Sequence, residues 1–217
     1  MRIEKLDAAV ANQIAAGEVV ERPASIVKEL IENSLDAGAT SVTVEIEGAG
    51  TGLIRVLDNG VGIHPEDMRL ALERHATSKI TTTDDLLSIT SMGFRGEALA
   101  SVASVARTTL TSRAEGSDRA WALTVDGGEE KRHAPAAHPQ GTAVEIRDLF
   151  FNTPARRKFM KTERTEVAHI SETVRRVALA NPGVSFELKH GTRTVERLAA
   201  TKVLVDRIEK LLGRDFL

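Results

Sequence analysis

Residues Val27 to Gly38 read VKELIENSLDAG. On a helical wheel Ile26, Val27, Leu30, Ile31 and Ser34 share one side, the apolar stripe by which a helix docks on a core. Glu29, Glu32, Asn33 and Asp36 crowd the opposite side, where like charges three and four residues apart repel. Either water screens these groups or something positive lies along that edge. Pro23 suits a first helical turn and Gly38 suits the position just past a helix end, so the spacing predicts a helix over 23–37.

Two strand patterns follow. SVTVEIE alternates Val42, Val44 and Ile46, LIRVLD covers Leu53 to Asp58, and a glycine-rich turn separates them. Upstream, DAAVANQIAAGE reads as a helix ending near Gly17. Downstream, EDMRLALERHA reads as another, and Thr77 to about Gly96 reads mostly as a loop, of a length often found in functional lids. After Gly96, Leu99, Val102, Ala103 and Ala106 recur at helical spacing. RTTLTS, AWALTV and TAVEIRDLF are strands broken by turns at DGG and HPQG. A long helix is expected over Glu163 to Ala180, with Val167, Ile170, Val174 and Val177 inward. VSFELKHGTRTVERL is a hairpin, and VDRIEKLLGRDFL begins a further amphipathic helix. Irregular alternation with tight turns between neighbouring strands predicts an α+β fold, a two-layer sandwich whose mixed, largely antiparallel sheet carries helices stacked on one face.

The chain has 217 residues and is 41% hydrophobic, enough to bury a sizeable core. A net charge of -2 gives no bulk attraction for nucleic acid, so any such site is local. The absence of cysteine removes disulfides and thiolate metal sites. Aromatics at 3%, with no tyrosine, argue against a stacking platform for single strands. The N-terminal residues are too polar for a signal peptide, and no run approaches the ~20 apolar residues of a membrane span.

Each motif has a plain reading beside a functional one. DNGVG, Asp58 to Gly62, is a common turn; Asp58 is also an acceptor for an exocyclic amine, with Gly60 and Gly62 bare enough for a flat ring to approach. GFRGEAL, Gly93 to Leu99, is either a hinged loop or an anion cradle at a helix start. The phosphate-loop and dinucleotide signatures are absent. The six histidines are scattered without metal-binding spacing. TPARRKFMKTER carries Arg156, Arg157, Lys158, Lys161 and Arg164, a solvated charged face or a patch for phosphate backbones.

ELIENSLDAGA, DNGVGI, HATSKI, GFRGEAL and GTAVEI (Gly141 to Ile146) occur in a fixed order. Together they resemble the GHKL ATPase superfamily shared by DNA gyrase, a heat-shock chaperone, histidine kinases and mismatch-repair proteins. ANQIAAGEVVERPASIVKELIENSLDAGA, RHATSKI, GFRGEALAS and FNTPARRKF narrow the resemblance to the MutL family, over essentially the whole chain. The resemblance implies ATP and Mg²⁺ as ligands. Glu29 matches the catalytic base, and Asn33 matches the Mg²⁺ ligand, which answers the question of the acidic edge. Glu32 remains a solvated residue and Asp36 a local acceptor. Asp58 matches the adenine-reading carboxylate, with Gly60 and Gly62 beside it and Thr142 supporting it. Thr77, Lys79, Gly93, Phe94, Arg95, Gly96, Glu97, Ala98 and Leu99 match lid residues around the phosphates.

The same resemblance implies the organisation and the partners. Residues 1–200 would be the ATP-binding domain, with a mobile arm over 1–20 and an ATP lid over 77–97. Residues 201–217 would be a linker and the start of a truncated second domain, which in the family carries a lysine to the γ-phosphate. The expected activity is slow Mg²⁺-dependent ATP hydrolysis timing a clamp that forms a homodimer on ATP binding. The expected partners are DNA, bound weakly and without sequence preference through Arg156, Arg157, Lys158, Lys161 and Arg164, a mismatch-recognition protein, and a downstream repair endonuclease or helicase. The expected location is a bacterial cytoplasm. Two alternatives stand beside this: a nucleotide- or DNA-binding module without turnover, and a topoisomerase-type ATPase subunit, against which FNTPARRKF speaks.

Overall fold

The computed structural model describes residues 21–74, 76, 97–213 and 216. The first helix, α1, spans Pro23–Asp36 and is followed by β1 (Ser41–Glu47) and β2 (Leu53–Asp58). Helix α2 (Ala98–Val105) leads into β3 (Arg107–Arg113), β4 (Ala120–Asp126), β5 (Glu129–Ala136) and β6 (Gly141–Arg147). A short helix α3 (Pro154–Lys158) and a long helix α4 (Glu163–Ala180) precede the hairpin of β7 (Ser185–His190) and β8 (Arg193–Leu198), and α5 covers Leu204–Leu212.

The strands form one eight-stranded sheet in the order β5-β4-β3-β6-β2-β1-β7-β8. Every pairing is antiparallel except β1 with β7, where α4 supplies the crossover that a parallel pair requires. One face of the sheet is apolar, because the side-chain period of a strand is two residues. A single row shows it: Leu188, Val44, Val56, Val144, Leu110 and Leu123 lie side by side across six strands. All six are buried, in one cluster with Ile26, Val27, Leu30 and Ile31 of α1, Val102 and Val105 of α2, and Ile170 and Val174 of α4. The expected α+β sandwich, helices on one face of a mixed and largely antiparallel sheet, is the fold observed.

Four local expectations need correction. The described residues of EDMRLALERHA form no α-helix; they make a series of turns that includes one 3-10 turn, Leu70–Leu72. Met68 is fully buried while Leu70 stays half exposed, so tertiary anchoring at one position overrides the helical pattern. Strand β5 has no counterpart among the strands expected from the sequence. It is an edge strand rich in charge, and with no face in the core it shows no alternation. In α4, Ala178 and Glu166 are buried with Ile170 and Val174, whereas Val167 and Val177 pack only partly against the core. Glu32 is not solvated: it is buried and receives the Lys28 ammonium at 2.8 Å.

Helix α5 is held by a side chain that no sequence pattern marks. Arg207 is 1% exposed and donates to the carbonyls of Ala178, Pro182, Val184 and Ala199 at 2.7 to 3.1 Å. Burial pushes its pKa down from the usual guanidinium value. The charge sits against the carbonyl end of α4, where the helix dipole favours a cation. No helix among the described residues is long and apolar enough to cross a membrane.

Candidate functional site

The site grows from the end of the apolar row. Two residues beyond Val56, Val144 and Leu110, on the same face, stand Asp58, Thr142 and Ser112. On these three strands the sheet turns from an apolar row to a polar one, below the end of α1 that carries Ser34. Asp58 Oδ1 accepts from the Gly60 amide at 2.9 Å and from the Thr142 amide at 3.2 Å, and Oδ2 accepts from the Ser34 hydroxyl at 2.9 Å. Ser34 ends the apolar stripe of α1, so the helix touches the carboxylate from above while two strands and a turn hold it from the sides.

The turn after β2 is stitched to its surroundings. Asn59 Oδ1 accepts from the amides of Thr40 and Ser41, both at 2.9 Å, which ties the turn to the start of β1. Val61 donates to Ala37 at the end of α1, and Glu115 donates to Val61. Gly62 has φ +73°, and a Cβ there would lie 2.2 Å from the Arg113 carbonyl oxygen. Gly141 has φ +118°, and a Cβ there would lie 2.1 Å from the Asp58 carbonyl oxygen. The sequence motif explains Gly62 by the approach of a flat ring; the structure supplies a prior reason, the close approach of the protein's own backbone.

A second group lies one turn back along α1. Glu29 and Asn33 are half-buried on its exposed edge. Glu29, with Ser25 and Ile26, lines a narrow apolar gap closed on the other side by Ala98 and Leu99 at the start of α2. Glu97 precedes that helix, accepts the Ser101 amide through its carbonyl and carries its carboxylate 3.8 Å from Arg74. The structure thus brings Glu29, Ala98 and Leu99 into one gap, and Asp58, Gly60 and Thr142 into one network, with α1 spanning both. Thr77, Lys79, Gly93, Phe94, Arg95 and Gly96 lie outside the described residues, as do the helix expected for DAAVANQIAAGE and the arm expected over 1–20. Among the described residues no three His, Asp or Glu side chains cluster as a metal cage.

The basic cluster sits elsewhere. Arg157, Lys158, Lys161 and Arg164 are exposed, and Arg156 is half-buried, its guanidinium 5.9 Å from the centre of the Phe150 ring. Phe159, between them, is 83% exposed. The segment leading to this cluster is pinned to the far end of α2: the Phe150 amide donates to Val105 and Asn152 Nδ2 donates to Ser104, at 2.8 and 2.9 Å.

Sequence reasoning missed Ser112, Gly141 and the role of Ser34. Ser34 reads as part of an apolar stripe, and Ser112 only as the end of a strand. The one available signal was period two: Asp58, Thr142 and Ser112 each fall in phase with the buried positions of their strands, where a polar residue needs a partner.

Comparison with known proteins fits this geometry. A family model, the histidine kinase-, DNA gyrase B-, and HSP90-like ATPases, matches residues 21–152. The solved Aquifex aeolicus MutL ATPase domain, complexed with ADP, is 39% identical and superposes with a TM-score of 0.75, over 89% of this chain and 69% of that one. The chain belongs to the MutL family. Curated MutL proteins agree: that of Histophilus somni is 55% identical over the whole of this chain, and that of Edwardsiella ictaluri 59% identical over 98% of it. The chain spans about a third of the length of these relatives. What it matches is the ATPase domain of a MutL protein.

Proposed function

We propose that the chain binds Mg²⁺·ATP along the exposed edge of α1 and hydrolyses it slowly to ADP and phosphate. The observation that carries this reading is the Asp58 carboxylate. Its two oxygens offer about four lone-pair sites, and three are taken by Gly60, Thr142 and Ser34. The remaining one is an acceptor for the exocyclic amine of adenine. The ADP held by the Aquifex aeolicus relative supports nucleotide binding by this chain.

In this reading the triphosphate runs from Asp58 towards the gap between α1 and α2. Glu29 takes the proton from the attacking water, and its partly buried place keeps it next to that water. Asn33, one turn further on, offers a neutral amide oxygen, a suitable donor for a hard cation that keeps several waters and takes phosphate oxygens for the rest. Mg²⁺, when bound, neutralises charge on those oxygens. Backbone amides of Gly93 to Leu99, with Thr77 and Lys79, hold the phosphates. Binding would bring two copies of the full-length protein together, and hydrolysis would release them. DNA, a mismatch-recognition protein and a downstream repair endonuclease or helicase are the partners of that clamp, in a bacterial cytoplasm.

The test is binding of a non-hydrolysable ATP analogue, with and without Mg²⁺, followed by measurement of oligomeric state. Mg²⁺ should tighten binding in the wild type, and Asn33→Ala should remove roughly tenfold or more of that gain. Undiminished Mg²⁺ dependence in Asn33→Ala would refute the metal assignment. For DNA, Arg156, Arg157 and Lys161 are together replaced by Glu. All sequences should weaken alike, and the salt dependence should become shallower, by about 0.7–0.9 in log–log slope for each phosphate that is no longer neutralised. A loss confined to one sequence would contradict a backbone-binding patch.

A further inference from the structure

Ser112 belongs to none of the motifs, yet its hydroxyl is the junction of the polar row. It lies on β3, 1% exposed, paired in register with Thr142. Three groups surround its oxygen: the Ile63 amide at 2.8 Å, the Gly141 carbonyl at 2.9 Å and the Thr142 hydroxyl at 2.9 Å. A serine hydroxyl has one proton and two lone pairs. The Ile63 N–H can only donate, so it occupies one lone pair. The Gly141 carbonyl can only accept, so it takes the proton. What remains for Thr142 is a lone pair, and the Thr142 hydroxyl must therefore be the donor between the two.

We infer that Ser112 is a specificity-determining residue of the base slot: by taking the only proton of Thr142, it leaves Thr142 an acceptor beside the Asp58 carboxylate. The inference rests on the nucleotide reading above. Thr142 stands beside Asp58 on the same face, next in the register of β2 and β6, and its amide donates to the carboxylate at 3.2 Å, so the two side chains border one corner of the slot. An amino group at that corner meets two acceptors. A carbonyl oxygen in its place meets the same two acceptors with no proton between them, and buried acceptors left facing each other are costly. Asp58 alone cannot enforce this, because a free Thr142 hydroxyl would rotate to donate to the carbonyl.

The experiment compares a non-hydrolysable ATP analogue with its inosine counterpart, which carries a 6-oxo group, on the full-length protein. The wild type should favour the adenine form. Ser112→Ala frees the Thr142 proton and should narrow the preference by about tenfold, chiefly through better binding of the 6-oxo base. In a Thr142→Val background, Ser112→Ala should leave the preference where Thr142→Val alone puts it, because there is no proton to direct. Equal weakening of both nucleotides in Ser112→Ala would show a structural role only and overturn the inference. Should Ser112→Ala not fold, Thr142→Val by itself serves, since an unchanged wild-type preference in it has the same consequence. If the wild type binds neither nucleotide, the failure lies in the nucleotide reading instead.

Discussion

Glu29→Ala is expected to lower the rate of phosphate release by about 10²–10⁴-fold, the range for loss of a positioned general base, while leaving the affinity for a non-hydrolysable ATP analogue close to wild type. The separation of the two effects follows from where Glu29 sits. Asp58, Gly60, Thr142 and Ser34 form their network without it. Glu29 lies one turn before Asn33 and lines the gap opposite Ala98 and Leu99. On the proposed reading its side chain would face a water at the far end of the triphosphate and not the base. The measurement is single-turnover phosphate release in the full-length protein, paired with an equilibrium binding titration. Retained turnover would remove Glu29 from the chemistry. A wild type with no turnover at all would favour the binding-module reading.

Gly141→Ala should produce the largest structural effect of any single methyl group added to the site. The new Cβ would lie 2.1 Å from the Asp58 carbonyl oxygen and 2.8 Å from the Asn59 Cα, and both are backbone atoms that no rotamer change can move aside. The residue would also have to hold φ +118°, a region that side-chain-bearing residues avoid. Strain and overpacking each cost about 1–3 kcal/mol, so a loss of about 3 kcal/mol or more is expected in a denaturant titration. Affinity for the adenine analogue should fall with it, because the shift starts at the backbone of Asp58 itself. Gly183→Ala is the matched control. No atom lies within 4 Å of its added Cβ, and its stability should stay within about 0.5 kcal/mol of wild type. Equal midpoints for the two variants would show that the approach of β6 to the turn is not as tight as described.

The Gly141 expectation and the Ser112 inference trace to one arrangement. Strand β6 runs between β2 and β3, and its first two residues serve different ends. Gly141 has no side chain, so the strand can pass against the turn after Asp58. Thr142 uses its amide on that carboxylate and its hydroxyl on Ser112. The motif GTAVEI stands out in the chain for its threonine, and the glycine before it turns out to be as demanding.

How much was legible depended on the range of the interaction. Helix α1 was readable because its stripe repeats within four residues and because Pro23 and the segment after Asp36 mark its ends. Strands β1, β2, β3, β4 and β6 were readable because one face of each is buried and the alternation is local. The order of ELIENSLDAGA, DNGVG, GFRGEAL and GTAVEI was enough for the family resemblance, since several short motifs in one fixed order are far more specific than any one of them alone. Strand β5, the 3-10 turn at Leu70–Leu72, the burial of Glu32 and the buried Arg207 were not readable, because each is set by a neighbour far away in the chain.

Local periodicity and residue chemistry along the chain therefore settled the class of fold, the family and the side chains to watch. Pairing across the sheet settled the rest: that Asp58, Thr142 and Ser112 form one hydrogen-bonded row, with Ser34 of α1 closing on the carboxylate. Those four residues are spread over more than a hundred positions, and a hydrogen bond acts over about 3 Å. Only the register of β2, β6 and β3, with α1 packed over it, brings their polar atoms within that reach.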